Sequence, residues 1–216
     1  KMWIEKIKIV NFKCFNGAFV LNLNEKVNVL VGNNDTGKST ILEAIHLTLS
    51  GLFSGRFVKN ELTQYLFNNE VVTDYIVKIN SATPIELPEI LIELHFKGEN
   101  LAKFEGKENS EKLDSCGVLL KIHFDNNYIE EYEAFVKAGN IQSLPIEFYC
   151  ITWKSFAQEE LSTRNIPIKS VLIDSSSTKL QSGSDIYISK IVKDNLDAKE
   201  IVGISQAHRT MRDSFI

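Results

Sequence analysis

One segment combines residue types and spacing that specify a chemistry: Gly32-Asn33-Asn34-Asp35-Thr36-Gly37-Lys38-Ser39. It fits the pattern G-x-x-x-x-G-K-[ST], whose chemistry is the holding of a polyphosphate. Gly32 and Gly37 lack a Cβ, so backbone amides can approach anionic oxygens closely. The amides of residues 35–40 then turn inward as an anion nest. A helix starting there adds roughly half a positive charge. Lys38 is placed to reach β- and γ-phosphate oxygens. The Ser39 hydroxyl is a hard oxygen donor suited to Mg²⁺, and Thr40 can donate to an α-phosphate. Asn33, Asn34 and Thr36 belong to the same loop. Asp35 stands where many such loops carry another glycine, and its short polar side chain tolerates left-handed backbone angles.

Such a loop needs a strand entering and a helix leaving. "VNVLV", residues 27–31, is a short apolar run before Gly32 and reads as a buried strand. Residues 38–50 read as a helix, with Ile41, Ile45 and Leu49 at i, i+4 and i+8 and Leu42 beside them. Strand, loop and helix thus occupy 27–50. Upstream, "WIEKIKIVNF" alternates Ile7 and Ile9 with Lys6 and Lys8, and "AFVLNLN" sets Phe19, Leu21 and Leu23 on one face. Asn16-Gly17 between them signals a hairpin. Residues 52–80 read as a short helix and a strand.

Downstream, residues 88–137 read as an antiparallel meander. Ile90, Ile92, Leu94 and Phe96 alternate, as do Val118, Leu120, Ile122 and Phe124. "YIEEYEAFV" reads as a third strand, with Tyr128, Tyr132 and Val136 set against acids. Asn126-Asn127 and Gly139-Asn140 read as turns, and 97–117 as a long surface loop. Residues 146–152 and 168–173 read as further strands, 174–185 as a Ser-rich loop, and 185–200 as a helix capped by Ser184 or Asp185.

The totals exclude several classes. At 216 residues with 44% hydrophobic content, the chain can bury a full core as a single domain over 1–216. A net charge of −4 argues against a self-sufficient DNA binder. Cys14, Cys116 and Cys150 lie far apart without a CxxC pair, which suits a reducing compartment. His46, His95, His123 and His208 show no metal-ligand spacing, and read as structural or surface residues. There is no run of 18 apolar residues to span a membrane, and the alternating N-terminus is unlike a signal peptide. The expected location is cytoplasmic.

"IxIxNFKCF", Ile7 to Phe15, followed by "NVLVGNNDTGKSTILEAI", resembles the ABC-type ATPase heads of chromosome-maintenance and recombination-repair proteins. The form with Asn34-Asp35 is most similar to the OLD (overcoming lysogenization defect) family of ATP-dependent nucleases and their antiphage-defence relatives. The strong part of the resemblance covers residues 4–50. It implies an α/β (α+β) P-loop NTPase of ABC type: an N-terminal lobe with a mixed core sheet, an antiparallel β-meander and few helices. It implies ATP and Mg²⁺ as cofactors and a head-to-head dimer. In the full-length protein it implies ATP hydrolysis gating DNA processing, with a defence partner protein in the antiphage version. It adds Lys13 as a candidate phosphate or base contact, with a solvated lysine as the plain alternative. It calls for a glutamine that reaches Mg²⁺, for which Gln142, Gln158 and Gln206 all qualify.

Two family motifs have no match: the LSGGQ-like signature, and the Walker B of four apolar residues followed by Asp-Glu. "SVLIDSSS" ends in Asp174, but Ser175 stands where the catalytic glutamate should be. Asp174 reads as a strand-end turn residue. The Toprim nuclease module's DxD is missing. The expectation is therefore a phosphate-holding lobe, inactive or very slow alone. Two alternatives stand: a repair or recombination head without a nuclease, and a self-contained small P-loop NTPase using Asp174. The antiparallel meander argues against the latter. "SQAHRTMR" offers Gln206, His208, Arg209 and Arg212 for nucleic-acid phosphates, against the plainer reading of a solvated helix face. No NKxD guanine-reading motif occurs, so ATP is favoured over GTP.

Overall fold

Period-2 alternation sets the sheet. In a computed structural model describing residues 1–34, 36–81, 85–162 and 165–173, strand β1 (Trp3–Val10) buries Ile7 and Ile9 completely and turns Lys6 and Lys8 to the other face. The chain divides into two compact units, Lys1–Ser170 and Val171–Ile216. The first unit is described here.

β1 pairs on one edge with β2 (Ala18–Asn22), antiparallel, with Ile9 opposite Phe19 and Ile7 opposite Leu21. Phe19 and Leu21 pack on the core as expected. On its other edge β1 pairs with β5 (Ile90–Lys97), with Ile9 opposite Ile92. β5 pairs with β7 (Ser115–Phe124), with Ile92 opposite Leu120. β7 pairs with β8 (Tyr149–Ser155), with Leu120 opposite Trp153. The short β6 (Glu105–Gly106) meets β7 at Ser115 and Cys116. Every described ladder is antiparallel.

Helix α1 (Lys38–Ser50) covers the apolar face. It buries Ile41, Ala44 and Leu47, while Ile45 is half-buried and Leu42 exposed. Of the expected row, Ile41 and Leu49 are buried and Ile45 packs half-buried on the core, and Ala44 and Leu47 widen the stripe. Trp153 of β8 fixes the far end of α1, donating from Nε1 to the Thr48 carbonyl at 2.9 Å.

Several expectations need correction. Residues 27–31 form no strand: Val27, Val29 and Val31 are 78%, 75% and 86% exposed, and only Leu30 of this run packs on the core. A strand exists only where its amides and carbonyls find a ladder partner, and among the described residues this segment has none. Residues 128–136 are not a third meander strand. Tyr128 precedes helix α3 (Ile129–Ala138) at its N-cap, Tyr132 and Val136 follow at intervals of one turn, Glu130 and Glu131 occupy the first turn and Lys137 the last. Those charges complement the helix dipole. The meander instead runs β5, β7, β8.

The 97–117 segment is more than a surface loop. It contains β6, buries Leu101, Phe104 and Asn109, and stacks Phe104 edge-on to Phe96 at 5.9 Å. Residues 52–80 hold the small hairpin β3 (Leu52–Phe53) and β4 (Arg56–Phe57), then helix α2 (Asn69–Asn80). The strand of 146–152 begins only at Tyr149, and 168–173 is not a strand. Residues 174–216, with Asp174, the 185–200 helix, Gln206, His208, Arg209 and Arg212, lie outside the described residues. Among the described residues no helix is long and apolar enough to cross a membrane.

Asn68 ties α2 to the segment after β1. Its Oδ1 accepts from the amides of Glu70 and Val71, and its Nδ2 donates to the Lys13 carbonyl at 2.8 Å. It is 7% exposed. Asn68→Ala removes the helix cap and the partner of the part-buried Lys13 carbonyl, so a loss of about 1–3 kcal/mol is expected. Denaturant midpoints of wild type and variant at unchanged slope test this.

Candidate nucleotide site

The loop is assembled where α1 begins. Gly37 precedes the helix with φ +89°, a left-handed angle that favours glycine. A Cβ at Gly37 would lie 2.8 Å from Phe15 Cζ and 2.9 Å from Cys14 Sγ. The space is closed because Phe15 stacks on Phe19 at 4.4 Å, pressing the segment after β1 against the loop. Gly37 is therefore required for its angle and for its missing side chain. The Gly37 carbonyl accepts from the Ile41 amide at 2.9 Å, the first bond of α1.

Lys38 Nζ points back into the loop. It donates to the Gly32 carbonyl at 2.8 Å, to the Asn33 carbonyl, and to Thr36 Oγ1 at 3.3 Å. Thr36 Oγ1 in turn donates to the Asn33 carbonyl at 2.9 Å. The ammonium is thus held in the ring formed by Gly32, Asn33 and Thr36. Ser39 is exposed, whereas Thr40 is buried and its hydroxyl lies 3.5 Å from Cys14 Sγ. A cleft of about 490 Å³ opens here, lined by Cys14, Asn34, Gly37, Lys38, Ser39 and Thr40. Among the described residues no carboxylate lines it. Ammonium, amides and hydroxyls form a donor set that fits a nucleotide triphosphate with its hard cation. Asp35 lies outside the described residues.

Lys13 stands beside this cleft but does not line it. Its Nζ pairs with Glu43 Oε2 of α1 at 2.5 Å and sits 4.8 Å from the Phe53 ring centre. The charge is shared between a carboxylate and an aromatic face. Cys14, not Lys13, reaches the cleft. Sequence reasoning missed it, and the only available signal was its position between β1 and the loop.

Two glutamine candidates can be placed. Gln142 is exposed, and Gln158 Nε2 donates to Glu108 Oε2 at 3.2 Å. The chain leaves β1 toward Cys14 at Val10, in register with Leu91, Lys121 and Thr152. Gln158 follows Ser155, which is in register with Val118 toward the other end of the strands. The fold does not bring either glutamine into the cleft lining.

His46 Nδ1 meets Ser170 Oγ at 3.0 Å, and His123 Nε2 meets Thr152 Oγ1 at 2.8 Å. Cys116 and Cys150 are free and half-buried, and burial pushes both thiols up from their ordinary value. Among the described residues no group of three His, Cys, Asp or Glu could hold a metal ion.

A family model described as AAA ATPase domain matches residues 2–215. The chain belongs to the AAA ATPase domain family. Within this family it is related to DNA repair and chromosome-maintenance ATPases. The DNA replication and repair protein RecF of Clostridioides difficile is 27% identical over 194 residues, covering 87% of this chain and 51% of RecF. RecF of Streptococcus uberis is 30% identical over 124 residues, covering 57% of this chain and 32% of that protein. The Structural maintenance of chromosomes protein 3 homolog of Plasmodium falciparum is 24% identical over 133 residues, covering 55% of this chain and 11% of the homolog. This ATPase domain thus spans about half or less of the length of these curated relatives. A solved SMC ATPase chain aligns over 99% of both chains at 16% identity with a TM-score of 0.37.

Proposed function

We propose that this chain is the phosphate-holding lobe of an ABC-type, ATP-driven switch in a DNA-processing protein. The observation that carries the reading is the loop Gly32–Ser39 wrapped around the Lys38 ammonium at the start of α1. Gly32 to Thr40 would hold the triphosphate of ATP, and Ser39 would ligate Mg²⁺. The bound nucleotide supplies a charge that differs between triphosphate and diphosphate, which a pair of heads can read by closing and releasing. In this reading the acting unit is a head-to-head dimer. Hydrolysis draws on a signature and a catalytic glutamate that this sequence does not contain. DNA is the partner of the full-length protein, in the cytoplasm.

Relatedness to the DNA replication and repair protein RecF supports the reading of a DNA-repair ATPase head. The finer reading, an OLD-like nuclease in antiphage defence with a partner protein, is supported by Asn34-Asp35 alone. A self-contained NTPase would use Asp174 as its Mg²⁺-side carboxylate. The wholly antiparallel described sheet speaks against it, since such enzymes alternate strands and helices around parallel sheets.

The test is equilibrium binding of Mg-ATP and Mg-GTP to the chain, followed by steady-state turnover over a wide range of protein concentration. ATP binding with negligible turnover is expected. Failure of wild type to bind any nucleoside triphosphate would overturn the reading. Turnover that vanishes in Asp174→Ala would transfer it to the self-contained enzyme.

A further inference from the structure

Strand β2 ends the sheet on one side, and among the described residues no strand pairs with its outer edge. Which backbone groups face that edge follows from its ladder with β1. The Leu23 amide donates to the Glu5 carbonyl at 2.7 Å, and the Asn11 amide to the Gly17 carbonyl at 3.3 Å. Between these bonds the register is regular, with Ile7 opposite Leu21 and Ile9 opposite Phe19. In an antiparallel pair, bonded and non-bonded positions alternate. Phe19 and Leu21 therefore spend their backbone groups on β1, and the amides and carbonyls of Ala18, Val20 and Asn22 point outward. All three residues are exposed, Val20 to 49%.

Such an edge is a template for a further strand, and it is usually blunted by a lysine, a proline or a bulge. β2 has none of these. Its sequence, Ala-Phe-Val-Leu-Asn, is uncharged, and its register with β1 runs through without a shift. The opposite side of the sheet is treated differently. There the Ser155 amide of β8 donates to the Glu159 carbonyl at 2.9 Å, and the Trp153 carbonyl accepts from the Leu161 amide at 3.1 Å. The chain thus folds back over part of the β8 edge, and among the described residues nothing does the same for β2.

We propose that the β2 edge pairs with the β2 edge of a second copy of this chain, antiparallel about a two-fold axis at Val20, so that two sheets become one. The occupant is a copy because the strand is its own complement, as a two-fold interface requires. Under that rotation Val20 faces the partner's Val20, Phe19 the partner's Leu21 and Ala18 the partner's Asn22. Each of the outward amides of Ala18, Val20 and Asn22 then meets an outward carbonyl. Phe19 and Leu21 are half-buried on the core side, where they already pack on the core, and pairing prolongs that apolar layer from one copy into the next. Val20 meets its mate on the other face. The paired strands bring no charged side chain of β2 against another, so nothing electrostatic opposes the contact. β2 contributes no residue to the lining of the phosphate cleft, and the pairing is independent of the nucleotide reading.

The experiment is sedimentation equilibrium of the full chain without nucleotide, from about 1 μM to about 1 mM. A strand pair about 17 Å long lies at the low end of interface sizes, so a weak dimer with Kd above about 10 μM is expected. Val20→Glu places its charge opposite Lys8 in its own sheet, a favourable neighbour, but sets two carboxylates against each other across the axis. It should raise Kd at least about tenfold. An equimolar mixture of Val20→Glu and Val20→Lys should restore the dimer. A chain that stays monomeric throughout, a dimer that appears only with Mg-ATP, or a dimer that Val20→Glu leaves unchanged overturns the proposal. If the variants do not fold, amide hydrogen exchange of wild type decides. Protection must grow with concentration at Ala18, Val20 and Asn22 and stay constant at Phe19 and Leu21, which β1 already holds. Protection of the outward amides that does not change with concentration also overturns the pairing.

Discussion

Lys38→Ala is expected to weaken Mg-ATP binding by at least about a hundredfold, roughly 2.7 kcal/mol or more, while leaving the fold intact. The separation of the two effects comes from where the side chain goes. Among the described residues the Lys38 ammonium donates to the Gly32 and Asn33 carbonyls and to the Thr36 hydroxyl, all within its own loop. Helix α1 is anchored elsewhere, by Ile41, Ala44 and Leu47 in the core and by Trp153 at the Thr48 carbonyl. A charge facing bound phosphates in a partly enclosed cleft acts at lower dielectric than one in open water, so its loss is felt at the ligand. Calorimetric titration of wild type and variant with Mg-ATP, beside their denaturant midpoints, makes the comparison. Equal affinities would remove the phosphate-loop assignment. A large fall in the midpoint would mean that Lys38 supports structure as well.

What could be read from the sequence was the part governed by strict spacing. The alternation through Ile7 and Ile9, through Ile90 to Phe96 and through Val118 to Ile122 located three strands and their buried faces, because a pleated strand admits one pattern. The loop was legible for a related reason: two glycines, a lysine and a hydroxyl at fixed offsets have little else to do. The failures came from places where local pattern does not decide. "VNVLV" has the composition of a buried strand, yet pairing is a property of neighbours and the described residues supply none. Tyr128, Tyr132 and Val136 at intervals of four suit a helix at least as well as a strand. End charges and the packing of Phe135 on Phe148, 6.1 Å between ring centres, sided with the helix. The pairing of Lys13 with Glu43 depends on how the segment after β1 folds over α1. Cys14 reached the cleft by the same tertiary route, with no motif to mark it. Glu93 and His95 of β5 are buried by contacts, such as that of the Ser110 amide with Glu93, that no local pattern marks.

The largest stability effect should come from the centre of the sheet. Leu120 of β7 is fully buried, with Ile92 of β5 on one side and Trp153 of β8 on the other. Leu120→Ala removes apolar atoms from a layer that α1 covers, and neighbours held by strand ladders can relax only partly. A cost of about 2–5 kcal/mol is expected, a large fraction of the roughly 5–15 kcal/mol that a domain typically has. The denaturant midpoint should fall while the slope holds. The variant also offers a way to separate core from site. A ligand that binds only the folded state adds stability in proportion to the logarithm of its saturation, about 2.7 kcal/mol at a hundred times Kd. Leu120→Ala keeps every residue of the phosphate cleft, so saturating Mg-ATP should recover much of its lost stability. Lys38→Ala should start near the wild-type midpoint and recover almost nothing. If Mg-ATP stabilised neither Leu120→Ala nor wild type, the cleft would not be a nucleotide site. If it stabilised Lys38→Ala as strongly as wild type, the nucleotide would be held by other residues.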